Sequence, residues 1–428
     1  MLRNSCGNKR GTHCNKWTER NASSLCKSIR ILEHAALSIE RNSQVKVLQV
    51  IHSVNPRGGG PVEGILQLGP ALAAQGIEME VMSLDAPDAP WVNNFPVPLH
   101  ATGPSRFGYG YNSRAVPWLK QNRTNYDAVI VNGVWQYASF AVWRVLHATS
   151  TPYYVYPHGM LDPWFKRQYP LKHIKKWLYW PWAEYRVLRD AKVVLFTCEE
   201  ERLEARKSFW LYQCHEQVTG YGIASPPGDA FHQRSLFLER YPELKGKQLI
   251  LFLGRIHEKK GCDILLQAWK EILSQTSRGS DLHLVMAGPI DHAYGAEMKE
   301  FAGRLNLQRT VTWTGMVAGD LKWGSLHAAD AFILPSHQEN FGISVVEALA
   351  CGVPVLISDK INIWREIEED KAGLVENDDL SGTIRLLNRW LDLPPIHKEE
   401  MQNQARGCFE RRFDISRTAE ALALLLRR

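Results

Sequence analysis

A chain of 428 residues is long enough for two or three domains of ordinary size. With 45% hydrophobic and 22% charged residues, its composition excludes a wholly disordered or fibrous protein. Most of the net charge of +6 lies in residues 1–44, where eight Lys and Arg oppose three acidic residues. We therefore predict that residues 1–44 are a flexible basic extension and that the protein has no nucleic-acid partner.

Three features of the sequence bear on location. No uncharged apolar run reaches 18 residues, which at this level excludes a transmembrane helix. The first residues are basic but lack the apolar core of a secretory signal. Eight cysteines in a chain of this length are not typical of a disulfide framework. Together these features predict a cytoplasmic protein.

The folded part is predicted to begin at Val45, in an apolar, β-branched run typical of a buried parallel strand. A glycine turn and an amphipathic helix closed by Gly76 follow. Further apolar runs predict strands over residues 77–85, 126–133, 153–159 and 192–198. The order of strand, glycine loop, helix and strand is typical of a doubly wound α/β unit, predicted over residues 45–221.

A polar stretch rich in Pro and Gly lies within residues 222–245 and predicts an interdomain linker. The α/β pattern then repeats over 246–405, and 406–428 are predicted to form a C-terminal helix that packs back on the N-terminal domain. Strands are predicted over 248–256, 283–289, 311–317, 331–336 and 354–358, and helices over 261–275 and 341–352. Because open parallel sheets bind ligands at their carboxyl ends, two such domains predict an interdomain cleft.

Two loops at these sheet edges carry the first candidate site residues. Gly59 and Gly60 precede a helix, where glycines let a backbone approach a ligand and the helix N-terminus attracts an anion. A tight structural turn explains this loop equally well. Arg255 ends a strand and Lys260 opens the next helix, so the two cations can meet a diphosphate whose charge grows as it leaves. Two solvated loop charges are the alternative.

A third motif places Glu339 and Glu347 eight residues apart, with Phe341 and Gly342 between them. Glu339 follows a predicted strand, and Glu347 lies about one turn into a helix whose N-terminus favours a phosphate. The neighbours of Glu347 are apolar, and there an idle carboxylate would be costly. A carboxylate at this position can accept both vicinal hydroxyls of a ribose.

In these motifs the chain resembles glycosyltransferase family 4, the retaining nucleotide-sugar transferases with the GT-B fold. The resemblance runs from about Val45 to the C-terminus. It implies an α/β fold of two Rossmann-like, doubly wound domains facing an interdomain cleft. It also implies transfer of a hexosyl unit from a nucleotide-diphosphate sugar to a glycan or lipid-linked acceptor. The stretch PHGMLDPW, residues 157–164, further resembles transferases of bacterial polysaccharide assembly, which implies a role in cell-surface polysaccharide synthesis. The matching segments are Gly58–Gly60, Gly254–Arg255, Lys260–Gly261, Glu339–Glu347 and Gly352–Val355.

The resemblance implies a role for each matching residue. Arg255 and Lys260 would bind the donor diphosphate, and Glu347 would bind the ribose. Glu339 would face the transferred sugar. His158 matches a histidine near that sugar, although a structural histidine is the alternative. The predicted catalytic residues are His158, Arg255, Lys260 and Glu339, and the predicted donor-binding residues are Gly59, Gly60, Arg255, Lys260, Glu339, Asn340, Phe341, Gly342 and Glu347.

The sequence contains no D-x-D triplet, so we predict no metal and no obligatory cofactor besides the donor substrate. The resemblance implies a front-side reaction in which the leaving phosphate helps to deprotonate the acceptor. A nucleotide-sugar epimerase or a phosphorylase on the same scaffold is an alternative, as is a non-catalytic nucleotide-sugar binder. No pyridoxal lysine motif supports a phosphorylase, and the intact Arg, Lys and Glu set argues against a non-catalytic protein.

Residues 163–186 interleave aromatic side chains with six Lys and Arg, and Glu184 is their only acid. This composition is typical of a segment at a membrane interface. A helix with a buried aromatic side and a solvated basic side is the alternative. The segment predicts peripheral contact with an anionic membrane, on the inner face of the plasma membrane.

Overall fold

The computed structural model describes residues 45–56, 59–164, 170–275 and 281–427, with only the backbone of Pro170 and Lys172. The predicted basic extension, residues 1–44, and Gly58 of the glycine turn lie outside the described residues. The chain from Lys46 onward forms one compact unit that contains two sheets, each with its own hydrophobic core. The predicted α/β class with two doubly wound halves is confirmed.

The first half carries seven strands. These are β1 (Val45–Ile51), β2 (Ile77–Ser83), β3 (Leu99–Ala101), β4 (Ala128–Asn132), β5 (Tyr153–Tyr156), β6 (Val193–Phe196) and β7 (Glu216–Val218). They lie in the order β3-β2-β1-β4-β5-β6-β7, and β1 and β4 run parallel, with Val47 opposite Ala128. Because β1 and β4 are central, helices cover both of their faces, which explains why β4 is buried throughout.

In the described part of this half, six helices connect the strands. They are α1 (Gly60–Ala74), α2 (Ala115–Asn122), α3 (Tyr137–Leu146), α4 (Pro170–Tyr179), α5 (Glu184–Arg189) and α6 (Glu199–Ala205). Gly59 precedes α1 with φ of 76°, a backbone angle that favours glycine, and a proline follows in the first turn. The predicted glycine turn therefore leads directly into a helix.

The second half repeats this plan with six parallel strands. These are β8 (Gln248–Leu253), β9 (Leu282–Ala287), β10 (Val311–Gly315), β11 (Ala331–Leu334), β12 (Val355–Ser358) and β13 (Gly373–Glu376). Their order is β10-β9-β8-β11-β12-β13. In each sheet the chain first adds strands on one side of the first strand, β1 or β8, and then continues on its other side. Where the strand order reverses in this way, a crevice opens at the carboxyl ends of the strands and can bind a ligand.

The helices of the second half begin inside the segment predicted as a linker. They are α7 (Ala230–Arg240), α8 (Cys262–Gln275), α9 (Ala293–Arg304), α10 (Gly319–Ala328), α11 (Ile343–Ala350), α12 (Trp364–Glu369), α13 (Leu380–Asp392), α14 (Pro395–Cys408) and α15 (Ile415–Leu426). Helix α7 packs closely on α10, where Gly324 lies so near the backbone of Gln233 that a Cβ would collide with it. The boundaries between the five predicted segments stay predictions.

The chain crosses between the halves twice, at neighbouring positions. Ile223 donates its N–H to Phe413 O over 2.9 Å and accepts one from Ile415 N over 3.0 Å. Asp414 caps α15 by accepting from Ser416 N over 2.8 Å. Helix α15 then packs against α1 of the first half.

Candidate active site

A cleft of about 810 Å³ lies between the carboxyl edges of the two sheets. Both halves line it. Nine of the ten predicted site residues contribute to its walls, namely Gly59, Gly60, His158, Arg255, Lys260, Glu339, Asn340, Phe341 and Gly342. The tenth, Glu347, is not among the lining residues. The structure therefore brings together positions that are up to 283 residues apart in the sequence (from Gly59 to Gly342).

The two predicted diphosphate ligands leave the end of β8 in one short loop. Lys260 closes a single 3-10 turn, Glu258–Lys260, and Gly261 follows with φ of 65°. A Cβ on Gly261 would collide with the carbonyl of Pro335, so only glycine lets this turn approach the end of β11. There Lys260 Nζ pairs with Glu339. Arg255 is exposed, and its guanidinium bonds to no described residue.

The loop after β11 is positioned by the loop after β12. Glu339 N donates to Lys360 O over 2.9 Å, and Asn362 N donates to Glu339 O over 3.1 Å. Gly342 then caps α11 with φ of 73°. Within the described residues, no hydrogen bond is made by the N–H groups of Asn340, Phe341 or Gly342. These groups and the start of α11 therefore provide positive ends of dipoles for an anion in the cleft.

His158 follows β5 and faces the same cleft from the other half. Its Nε2 lies 3.0 Å from Asn132 Oδ1, and Asn132 Nδ2 donates to Gln49 Oε1 over 2.8 Å, which orients the amide. Nε2 is therefore the protonated nitrogen of a neutral ring. The ring stacks on Tyr156, and burial lowers the pKa of His158 to about 4. A neutral imidazole at this position can donate and accept hydrogen bonds but carries no charge near pH 7.

Glu347 lies one turn into α11, and burial raises the pKa of its carboxyl. Its Oε1 accepts from Lys322 Nζ of α10 over 2.7 Å. Sequence reasoning missed Lys322, because a lysine on a polar helix face carries no distinguishing pattern. The apolar neighbours of Glu347 were the only signal that a cation had to be nearby. Whether Glu347 binds a ribose stays a prediction.

Contacts between the halves surround buried Glu201, another residue that sequence reasoning missed. Its carboxylate accepts from Gly159 N over 2.6 Å and from Thr197 Oγ1 over 2.6 Å. Thr197 Oγ1 in turn accepts from Asn340 Nδ2 over 3.3 Å. Gly159, with φ of 73°, packs against Asn340 so closely that a Cβ would lie 2.7 Å from it. The loop after β5 and the loop after β11 are thus held together beside the cleft.

No group of three or more His, Cys, Asp or Glu side chains in the described part of the chain is arranged to bind a metal ion. In the same residues, no helix is both long and apolar enough to cross a bilayer.

Two protein-family profiles match the chain in series. "Glycosyl transferase 4-like domain" matches residues 59–211, and "Glycosyl transferases group 1" matches residues 234–407. The chain belongs to this family, the group 1 or family 4 glycosyltransferases, which are retaining enzymes of the GT-B fold that use a nucleotide-sugar donor.

Individual relatives are distant. The 2-deoxystreptamine N-acetyl-D-glucosaminyltransferase of Niallia circulans is 27% identical over 70% of this chain and 79% of its own. Alpha-monoglucosyldiacylglycerol synthase of Streptococcus pneumoniae is 27% identical over 67% of this chain and 64% of its own, so the match spans just under two thirds of that relative. Among solved structures, HepE of Anabaena in complex with UDP-glucose has a TM-score of 0.68 at 17% identity, covering 89% of this chain and 99% of HepE. At that identity the likeness concerns the fold.

Proposed function

We propose that the protein transfers a hexosyl unit from UDP-hexose to a hydroxyl of a glycan or lipid-linked acceptor in cell-surface polysaccharide synthesis. The observation that carries this proposal is the convergence of two cations and three N–H groups of the second half with His158 of the first half around one cleft. Such a set binds a diphosphate on one wall and presents the attached sugar to the other half.

The charges of the site match the needs of a departing diphosphate. Arg255 and Lys260 neutralise the negative charge that appears on the leaving oxygen, and the N–H groups of Asn340, Phe341 and Gly342 bind phosphate oxygens. Glu339 accepts from Lys260 and from hydroxyls of the transferred sugar. His158 donates or accepts a hydrogen bond at the sugar without adding charge. These are the roles we propose for the predicted site residues.

The reaction breaks the bond between sugar C1 and the phosphate oxygen and forms a bond between C1 and the acceptor oxygen on the same face. The acceptor hydroxyl passes its proton to the leaving phosphate oxygen. No described carboxylate needs to attack C1 in this scheme, which agrees with the pairing of Glu339 with Lys260. The products are the α- or β-linked sugar with the donor's own configuration and a nucleoside diphosphate.

Uridine diphosphate sugars are the first donors to test, because HepE, which shares the fold, was solved with UDP-glucose. A lipid-linked acceptor is supported by the name of the Streptococcus relative, a synthase of a glucosylated diacylglycerol. These names concern those proteins, and for this chain they select substrates for the first assay.

Exposed apolar side chains on the first half support a function at a membrane surface. Apolar side chains of α4 and its neighbours are 48% to 79% exposed, and we refer to this set as the docking face. Its members are Leu171, Ile174, Trp177, Leu178, Trp182, Trp210 and Leu211. So large a group of exposed apolar side chains is unusual for a protein that contacts only water.

The charge of the same segment is positive on the outside. Glu184, the only acid of residues 163–186, is fully buried and accepts from Trp135 N over 2.9 Å. Burial raises the pKa of this carboxyl to about 8, so it adds little negative charge near pH 7. Lys175 is exposed beside the docking face. Apolar and cationic groups on one surface favour peripheral binding to the anionic inner face of the plasma membrane.

Product analysis with a panel of UDP-hexoses tests the proposed function. The purified protein is incubated with each donor, with and without a lipid-linked acceptor, and the products are separated and their anomeric configuration is measured. Transfer with retention, or slow hydrolysis to the sugar and UDP, supports the transferase. Conversion of one nucleotide sugar into its epimer would support the epimerase instead. Binding of UDP-hexose without any turnover would support a non-catalytic protein.

A further inference from the structure

We propose that a pocket at the outer edge of the first sheet binds a phosphate or diphosphate group carried by the acceptor. The pocket encloses about 200 Å³ and shares no lining residue with the donor cleft. Its polar walls come from Thr102, Arg106, Tyr111, Asn112, Ser113 and Arg114. This inference rests on the proposed function, because it names the chemistry of the acceptor.

The charge of the pocket is unbalanced. Arg106 and Arg114 are both exposed, and no acidic residue is among the described residues that line the pocket. Arg114 Nη1 donates to the carbonyl of Gly103 over 3.3 Å, while the Arg106 guanidinium bonds to no described residue. Two guanidinium groups beside one concavity repel each other unless an anion lies between them, and their planar forks match phosphate oxygens.

The backbone around the two arginines is rigid. Arg106 and Tyr111 form an antiparallel bridge with N–H to O distances of 2.8 and 2.9 Å. Asn112 is buried, and it donates to Thr102 Oγ1 over 3.1 Å and accepts from Arg114 N over 2.8 Å. Because the backbone that carries the two arginines is already ordered, it loses little conformational freedom when an anion binds. This favours binding of a small anion such as a phosphate group.

The position of the pocket identifies it with the acceptor and not the donor. Thr102 directly follows β3, which is two strands from β1 and four strands from β5. At about 4.8 Å per strand, these strand ends lie roughly 10 Å and 19 Å away. His158 follows β5, so an anion in the pocket is too distant to be the reacting phosphate. It lies on the half that faces the donor sugar, where an acceptor has to bind.

The hairpin that carries Arg106 connects this pocket to two neighbouring features. Gly110, at φ of 76°, packs against His52 at the end of β1, so closely that a Cβ would collide with the ring. The hydroxyl of Tyr109 contacts the hydroxyl of Tyr179 at the end of α4. The pocket is thus attached to the donor-facing edge on one side and to the helix of the docking face on the other. A phosphate group at a membrane surface can be reached from there.

The test measures phosphate binding while UDP fills the donor cleft. Inorganic phosphate is titrated calorimetrically, at constant ionic strength, into the full chain saturated with UDP. The wild type is compared with the Arg106→Gln/Arg114→Gln variant and with Arg144→Gln, an exposed arginine of α3 outside the pocket. We expect the double variant to lose phosphate affinity by about tenfold or more, the scale for losing charged hydrogen bonds. Arg144→Gln should bind as the wild type does.

A second arm identifies the source of the phosphate. Neutral phosphatidylcholine vesicles with and without a polyprenyl diphosphate are compared with a soluble sugar phosphate. If the protein binds the vesicles that carry polyprenyl diphosphate but not the soluble sugar phosphate, the group it recognises is lipid-borne. If it binds both, it recognises the phosphate itself. In either case the double variant should lose the response while it keeps its affinity for UDP, which shows that it is folded.

Two results would overturn the proposal. One is the absence of saturable phosphate binding to the UDP-saturated wild type. The other is equal phosphate affinity in the wild type and the double variant. Failure of the proposed function would look different, because no variant would then turn over any UDP-hexose, and the phosphate titration would still give its answer.

Discussion

Lys322 Nζ donates to Glu347 Oε1 over 2.7 Å, and this pair joins α10 to α11. The carboxylate is mostly buried, so without the lysine it would have no cation to offset its desolvation. The lysine thus opposes the effect of burial on the pKa of Glu347 and fixes the direction of its carboxylate, as the proposed role in binding ribose hydroxyls requires.

Replacing Glu347 with Gln should raise the KM for the nucleotide sugar by roughly tenfold or more, because one charged acceptor of hydrogen bonds is lost. Lys322→Met should instead lower the free energy of unfolding by about 1–3 kcal/mol, since the buried carboxylate loses its partner. Steady-state kinetics and chemical denaturation separate the two effects. An unchanged KM in Glu347→Gln would contradict the ribose assignment.

Arg255→Ala and Lys260→Ala should each lower kcat/KM by roughly 10²–10³, the scale for losing one group that stabilises charge in the transition state. Lys270→Ala, at an exposed position of α8, is the matched control and should keep the wild-type rate. The three variants are compared by release of UDP from UDP-hexose. Near-wild-type rates in both site variants would show that the diphosphate binds elsewhere.

His158 predicts a pH dependence of stability. Its pKa is about 4 in the folded protein and near 6.5 in an unfolded chain, so the unfolded state binds more protons between these values. The folded protein therefore loses stability as the pH falls from 6.5 towards 4. In His158→Gln this loss should be smaller, which denaturation curves at several pH values measure. Identical slopes for both proteins would contradict a neutral imidazole at this position.

Glu184 predicts the opposite dependence. Its pKa is raised to about 8, so the folded state binds more protons than the unfolded state between pH 4.5 and 8. Stability should fall as the pH rises through this window. Glu184→Gln keeps the shape of the side chain and its acceptor for Trp135 N, and it should remove this part of the pH dependence. Thermal unfolding across the window provides the measurement, and a variant with the wild-type slope would refute the prediction.

The docking face predicts binding to anionic vesicles that weakens at high salt. Leu171→Ser/Ile174→Ser/Leu178→Ser should reduce the bound fraction by removing exposed apolar surface, and Lys175→Glu should reduce it at low salt by removing attraction to the lipid. Co-sedimentation measures both. Leu424→Ser, an exposed leucine of α15, is the apolar control. Negligible binding by the wild type would leave this face without a membrane role.

The sequence alone predicted the parts of the fold that local pattern determines. Runs rich in apolar residues mark buried parallel strands, and they predicted β1, β2, β4 and β5 as well as the main strands of the second sheet. The short edge strands β3, β7 and β13 carry no such run, because three or four residues at a sheet edge are too few to form a pattern. The polar helix α10 was likewise not predicted, since three of its four buried residues, Gly324, Ser325 and Ala328, are small and form no apolar pattern.

The candidate site likewise combines features that the local sequence predicted with contacts that it did not. The glycine turns and the spacing of Glu339 from Glu347 are local, so the chain itself shows which residues lie at the sheet edges. The partners of those residues were decided only by tertiary structure. Lys322 reaches Glu347, Asn132 orients His158, and several apolar side chains of α4 are left exposed. Each of these relationships depends on how distant elements pack and not on the order of neighbouring residues.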